Sequence, residues 1–347
     1  MRLIGMKQIG LFAVPDRMVF CLIMPLLAGC VATQPIPQQV VSKRAQMHMG
    51  TLVTLTVVAP DTSLKDRAMR AGFDEIKRLE QLLSTWRPDS ELSHVNAEAG
   101  RRPVRVSQET VELVARSLDM AQLTRGGFNI ALGPAVDAWS VTERQRIPDD
   151  EELRQLKPLL DWTSIQVNRE TKTIYLPREG MRIDIGGIGK GYAADRAIEQ
   201  MKRAGATGGV VALSGDIKTF GVLPEQSGFP VGIKHPRREG ELVAIVELKD
   251  EAISTAGDYE RFFEREGVRY HHILAPQTLQ PARACQSVTI IAKEGVVADG
   301  LDTGIFVLGP EEGMALVEGL PGVEAVIIDA EGTMMVSSGL RDRLRTP

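Results

Sequence analysis

Hydrophobic positions along this chain switch repeatedly between a period of two and a period near 3.6. Thr and Val alternate from Gly50 to Ala59, which predicts a strand. Met69, Phe73, Ile76, Leu79 and Leu83 then recur at helical spacing and predict a helix over Ser63–Ser84. Ser107 is placed to cap a second helix carrying Val111, Val114 and Leu118, and Gly126-Gly127 ends it. Ile165, Val167, Ile174 and Leu176 mark a short hairpin over 164–176. A glycine-rich turn from Gly186 to Gly191 leads into a helix with Ala194, Ile198 and Met201 on one face. Residues 208–213 read as a buried strand, with further strands at 229–234, 241–248, 267–274 and 286–292. Helices from Val296 to Val307 and from Pro310 precede a last hairpin over Val323–Ser337. Strands and helices mix without regular βα alternation, so the expected class is α+β and not a doubly wound sheet.

The N-terminus follows a different pattern. Basic Arg2, Lys7 and Arg17 precede an apolar run from Met18 to Leu27. A membrane-spanning helix needs about 20 apolar residues, and Pro15, Asp16 and Arg17 block any upstream extension. The run therefore reads as the core of a signal peptide. Leu27-Ala28-Gly29-Cys30 resembles a lipoprotein cleavage site, so residues 1–29 are expected to be removed and Cys30 to carry lipid. A generic secretory signal with a chance cysteine is the alternative. Val31 is not acidic, so no inner-membrane retention signal is visible. The expected location is the extracytoplasmic (periplasmic) face of a bacterial membrane, held by the lipid on Cys30. Residues 30–46 are polar or helix-breaking and are expected to form a flexible tether, with one folded domain over 47–340.

Composition removes several classes. The chain has 347 residues, enough for a large core. A formal net charge of -4 and few aromatics leave neither a basic face nor a base-stacking surface, which excludes nucleic acid as an expected partner. Cys21, Cys30 and Cys285 match no zinc spacing and form no disulfide framework. After processing, only Cys285 would remain as a free thiol.

Three segments are candidates for chemistry. In Arg182-Ile-Asp-Ile-Gly-Gly-Ile-Gly-Lys-Gly-Tyr-Ala-Ala-Asp195, a strand runs into glycines, Lys190 and a helix. Glycines admit a bulky ligand, helix N-terminal amides suit a phosphate, and Lys190 offers a point charge. A tight strand-to-helix turn with a solvated lysine fits the spacing equally well. In Ala298-Asp-Gly-Leu-Asp-Thr303, Asp299, Asp302 and Thr303 share one helical side among apolar flanks. They are hard oxygen ligands suited to magnesium, though an acidic helix start also complements the helix dipole. Buried carboxylates need a partner or a metal, which favours the metal. The third is Ile253-Ser-Thr-Ala-Gly-Asp-Tyr259 with Tyr270-His-His-Ile-Leu274, where adjacent histidines on a strand point to opposite faces, so one can face a site and the other solvent.

In chain order these segments resemble the ApbE family, the FAD:protein FMN transferases. The resemblance runs from about Met47 to Ser338. It rests on Met49-Gly-Thr51, Ser84-Thr-Trp-Arg-Pro-Asp-Ser-Glu-Leu-Ser93, Gly127-Phe-Asn-Ile-Ala-Leu-Gly-Pro134 with Trp139, Asp184 to Asp195, Leu213-Ser-Gly-Asp216, Thr255-Ala-Gly-Asp-Tyr259, His271-His-Ile273 and Ala298 to Thr303. It implies a T-fold-like α+β architecture with the flavin between two lobes. It implies magnesium on the Gly187 carbonyl, Asp299, Asp302 and Thr303, and FAD on Met49, Trp86, Gly127, Phe128, Asn129, Asp184, Lys190 and Ile273. His272 stands at the family's histidine important for transfer. The implied reaction moves FMN from FAD to a Ser/Thr hydroxyl of an extracytoplasmic or membrane redox protein and releases AMP. Either His272 or an acid near the metal would serve as the base. The chain departs from the family pattern after the histidines, where Ala275-Pro-Gln-Thr-Leu279 lacks the usual acid, base and glycine. Asn129 replaces Asp, Ala256 replaces Ser, and Ser214 replaces Gly. Two other readings share these residues: an FAD-binding lipoprotein without transfer, and an FAD pyrophosphatase releasing FMN and AMP.

Overall fold

A computed structural model describes residues 39–347. The expected signal peptide, Cys30 and most of the expected tether lie outside the described residues. The chain opens with strands β1 (Val40–His48) and β2 (Thr51–Ala59), helices α1 (Thr62–Leu83) and α2 (Glu91–Ala97), strand β3 (Val104–Arg105) and helix α3 (Gln108–Leu123). Short helices α4 (Gly133–Trp139) and α5 (Asp150–Leu156) precede the hairpin β4 (Gln166–Asn168) and β5 (Thr173–Tyr175) and the long helix α6 (Gly189–Arg203). Seven strands follow: β6 (Gly208–Leu213), β7 (Asp216–Phe220), β8 (Phe229–Lys234), β9 (Leu242–Leu248), β10 (Ala252–Gly257), β11 (Phe262–Arg265) and β12 (Val268–His271). The chain closes with β13 (Cys285–Ala292), α7 (Gly295–Leu308), α8 (Pro310–Glu318), β14 (Glu324–Asp329), β15 (Met334–Val336) and β16 (Leu344–Arg345).

The architecture is α+β, as expected. Eight strands form one antiparallel sheet in the order β1-β2-β6-β7-β10-β13-β14-β15. Helices α1, α6 and α7 cover one face of it and share the main core. The other face is met by the small sheet β16-β9-β8, where Val246 and Leu248 pack with Ile253, Ile291 and Val326. Period two therefore sorts β10: Ala252 and Ala256 join the helix side and Ile253 the other. A third, smaller core gathers Trp139, Leu153, Phe263, Leu274 and Leu279.

Local signals explain the element ends. Asp61 accepts from the Leu64 amide to start α1, and Ser107 accepts from Thr110 to start α3. The buried stripe of α1 includes Met69, Phe73, Ile76, Leu79 and Leu83. Each such side chain contributes about 1.5–3 kcal/mol when fully buried, more than helix propensity alone supplies.

Three boundaries differ from the sequence reading. The expected tether to residue 46 ends earlier, because Val40–His48 pairs with β2 along nine residues. It is an edge strand with exposed Lys43 and Arg44, and charged edges read as unstructured sequence. The domain also extends past 340, since β16 pairs with β9. The strand expected over 267–274 stops at His271, leaving His272 just beyond its end. Cys285 is buried on β13, and burial, with Asp329 and Glu311 nearby, pushes its thiol up to about 12.

Candidate functional site

The site is built where α6 and α7 cross over the helix-facing side of β7 and β10. At the crossing a Cβ on Gly191 would stand 2.1 Å from the Gly295 carbonyl oxygen, so only glycine permits this approach. The closeness lets the Gly191 amide donate to Asp299 Oδ2 at 2.7 Å. Asp195, one turn further along α6, accepts from the Gly295 and Val296 amides at 2.8 and 2.9 Å. It thereby caps the start of α7 from a neighbouring helix. These contacts fix the rotation of α7 and aim its acids at the sheet.

Beneath α7, Ser254 lies on the inward face of β10, in step with Ala252 and Ala256. Its hydroxyl contacts Asp302 Oδ2 at 2.6 Å and also Asp216. Asp216 begins β7 directly after the Ser214-Gly215 turn, and Lys190 from α6 donates to it. Carboxylate oxygens of Asp216, Asp299 and Asp302 all lie within 4.8 Å of one another, and all three residues are buried. Burial first, then the charge of Asp216, raises the Asp299 carboxyl above its ordinary range. Burial, then Asp299 and Asp216, raises Asp302 in the same sense. For Lys190, burial opposes the charge, but Asp216 and Asp299 outweigh it and hold the amine above its usual value.

Charge counting tests whether a metal suits this cluster. Three carboxylates face one lysine, and the Ser254 hydroxyl has a single proton for two acceptors. The cluster is short of positive charge and of donors, which is the condition a divalent oxygen-seeking cation relieves. Thr303 donates to Asp302 Oδ1 at 3.1 Å. Its Oγ1 lies 3.0 Å from where a Cβ on Gly187 would stand, so Thr303 and Gly187 are packed together. The residues present fit a magnesium ion.

The expected ligands Gly187, Asp299, Asp302 and Thr303 are thus brought together. Asp216 and Ser254 complete the cluster and were not singled out as site residues from sequence. Lys190 was expected to meet a diphosphate; here it meets Asp216. The amides at the start of α6, read as a phosphate cradle, are turned to Asp299 through Gly191 and Lys190. A carboxylate already uses that helix end.

Of the expected flavin residues, Gly127 and Phe128 pack against the segments that carry this cluster. A Cβ on Gly127 would meet the Gly304 carbonyl at 2.5 Å, which presses the Gly127–Asn129 turn onto α7. Phe128 is buried and borders Gly187. The Asn129 amide donates to the Leu160 carbonyl at 2.9 Å, while its oxygen accepts from Ala131 at 2.8 Å. An aspartate could not do both, so asparagine suits this position. The Asp184 amide donates to the Ile130 carbonyl at 2.8 Å, and its carboxylate accepts from Gly186 at 2.7 Å. A cavity of about 360 Å³ opens beside this turn, bordered by Arg125, Asn129, Lys157, Trp162 and Gln277. It does not include the acid cluster. Met49 holds the β1–β2 turn at φ 50° with its amide on Glu80, and Trp86 is 72% exposed beyond α1. Ile273 is buried.

The two histidines separate, as their alternation implies. His271 is buried, its Nε2 bonded to the Ala282 carbonyl and its Nδ1 accepting from Ile273. Those partners require the neutral, Nε2-protonated ring, and burial pushes it down to about 4. His272 reaches solvent, yet the protein around it, then the Arg261 charge, hold its imidazole well below the usual value.

The segment that departs from the family pattern is held by packing. Leu279 stands at φ 60° with its side chain fully buried, and its carbonyl accepts from the Trp139 indole at 2.7 Å. Ser214 also has a left-handed φ, of 58°. Both positions are therefore ones at which glycine fits without strain.

The chain is similar to known proteins over most of its length. A family model described as the ApbE family matches residues 49–327. An FAD:protein FMN transferase of Treponema pallidum (strain Nichols) is 34% identical over 319 residues, covering 87% of this chain and 88% of that one. One from Escherichia coli (strain K12) is 32% identical, covering 82% and 83%. Among solved structures, the ApbE protein of Thermotoga maritima superposes with a TM-score of 0.81 at 29% identity, covering 88% of this chain and 99% of that one. The apo flavinyl transferase ApbE of Pseudomonas stutzeri gives 0.78 at 28%, covering 89% and 98%.

Proposed function

We infer the function from a premise the matches establish: the chain belongs to the ApbE family, and it is an FAD:protein FMN transferase. We propose in addition that transfer depends on magnesium and releases AMP, with a Ser/Thr hydroxyl of an extracytoplasmic or membrane redox protein as acceptor. The observation that carries the metal is the buried Asp216–Asp299–Asp302 cluster with a single lysine beside it.

In this reading Asp299, Asp302, Thr303 and the Gly187 carbonyl hold the ion, and Asp216 balances Lys190 next to it. Bound there, magnesium would neutralise the diphosphate of FAD and polarise its phosphorus. The protein's own residues supply the rest. The Gly127–Asn129 turn, Asp184, Ile273, Met49 and Trp86 orient FAD. The acceptor oxygen bonds to the FMN phosphorus, the bridging P–O bond breaks, and AMP departs. His272, unprotonated at neutral pH and solvent-accessible, takes the acceptor's hydroxyl proton. His271 has both ring nitrogens engaged within the protein and is a structural residue. Positioning and charge stabilisation carry most of such a phosphoryl transfer.

The location is also a proposal: a periplasmic-face lipoprotein anchored through Cys30. Leu27 to Cys30 and the short apolar run before it support that reading. Among the described residues, no helix is long and apolar enough to cross a membrane.

The test uses the purified chain with FAD, Mg²⁺ and a co-expressed acceptor domain, read by mass spectrometry. The expected result is an acceptor heavier by one FMN, with an equal yield of AMP, and no gain in EDTA. An undiminished gain in EDTA would remove the metal from the proposal. Free FMN and AMP without modified acceptor would make water the acceptor instead.

A further inference from the structure

A second polar cavity, of about 200 Å³, lies apart from the acid cluster and shares none of its residues. Arg237, Asp258, Arg269, His271, Arg283 and Gln286 line it. The three arginines come from three stretches of chain: the loop after β8, strand β12, and the segment before β13. Only one lining residue is acidic. Arg237 grips it with two 2.7 Å bonds, Nη1 to Asp258 Oδ1 and Nη2 to Oδ2. Arg269 reaches the same Oδ1 at 3.5 Å and shares Glu264 outside the cavity at 3.2 Å. Arg283 donates to the Arg269 carbonyl at 2.7 Å and has no carboxylate partner among the described residues.

Counting Glu264 outside the cavity, three guanidinium groups meet two carboxylates, which leaves one uncompensated positive charge, on Arg283. His271 adds none, because burial keeps its ring neutral. Bringing like charges together is unfavourable without a counter-charge. The cluster is also held in place. Arg269 lies over Phe262 at 4.2 Å, and the exposed Arg283 reaches Tyr270 at 5.8 Å, so both forks have a ring to rest against. Guanidinium forks match the oxygens of a phosphate. The volume is below the 300 Å³ at which drug-sized ligand sites begin, so it suits an anionic head group and not a whole cofactor.

We propose that this cavity binds a dianionic phosphate group, at a site separate from the one where FMN is transferred. Its place in the fold gives it a neighbour of interest. His271 lines the cavity, and His272 follows it on the opposite side of the strand end. Occupancy would therefore bear on the segment that carries the proposed base. The proposal rests on the arginine cluster and stands whether or not the metal assignment does.

Inorganic phosphate and AMP share the dianionic head, and each is titrated into the purified full chain by calorimetry at constant ionic strength, with chloride as reference. The expected result is saturable one-site binding of at least one of them, unchanged by saturating FAD. Arg283→Gln, at an exposed residue, is expected to weaken it at least tenfold. Arg238→Gln, on the same loop as Arg237 but outside the cavity, is expected to leave it unchanged. Binding of inorganic phosphate would identify a free-ion site, and binding of AMP alone a nucleotide site. Absence of saturable binding of both would overturn the proposal. So would competition with FAD, or equal loss in Arg283→Gln and Arg238→Gln.

Discussion

The two sides of the proposed transfer site are built by different means. On the α6–α7 side, function and packing use the same atoms: Gly191 allows two helices to touch, and its amide then holds Asp299. On the His272–Leu279 side, a loop past the end of β12 is held by an apolar plug, Leu279 against Trp139. The first arrangement tolerates little change, because a substitution disturbs charge, crossing distance and helix rotation together. The second owes its position to apolar packing and one indole hydrogen bond, with no charged side chain in that contact. The difference teaches that one side is fixed by backbone contacts that also hold the acids, and the other by side-chain packing that does not involve them.

The sharpest way to break this contrast is at the acids. Asp302→Ala is expected to lower Mg²⁺-dependent transfer by about 10³-fold, or about 4 kcal/mol of barrier. Transfer rates that stay within a few-fold would dissolve the distinction between the two sides. On the loop side, His272→Ala should cost about 10²-fold in kcat, the lower end for a general base. KM for FAD should move little, and steady-state kinetics separate the two.

Stability tests come next. Leu279→Ala empties a fully buried position and is expected to destabilise by about 2–4 kcal/mol in urea unfolding. A change below about 1 kcal/mol would mean that the loop is held by something other than its apolar plug. His271 gives a pH arm. Its folded value, about 4, lies below the ordinary 6.5. The unfolded chain therefore binds more protons between those values, and stability falls as pH drops from about 6.5 to 4. The full effect is on the order of 3 kcal/mol, and His271→Gln should flatten that part of the profile. Ser214→Gly is the smallest change. Relief of its left-handed φ should add about 1 kcal/mol, seen as a small rise in Tm.

Much of this site was legible in the sequence, for definable reasons. Asp299, Asp302 and Thr303 sit on one helix, where spacing in the chain is spacing in space. Asp216 and Ser254 were not singled out as site residues because they come from separate strands, and only pairing with β7 and β10 brings them under α7. Lys190 was read correctly as a charge near the site, but its partner lies 26 residues on. The alternation of His271 and His272 was visible; which of them enters the core depends on Ala282 and Phe306, far along the chain. Strand β1 was read as tether because Lys43 and Arg44, on opposite faces, are both exposed, so its sequence carries little period-two signal. The two glycine replacements were visible as departures, but their left-handed backbone was not.

Cys285 has a consequence for how the protein can be made. It is the single thiol among the described residues, and it lies inside the main core with its proton firmly held. No covalent cross-link takes part in holding the described domain together. Its folding is therefore indifferent to the redox poise of the compartment in which it happens. A form beginning near Val40 should reach the same fold under reducing as under oxidising conditions, without an oxidative folding catalyst.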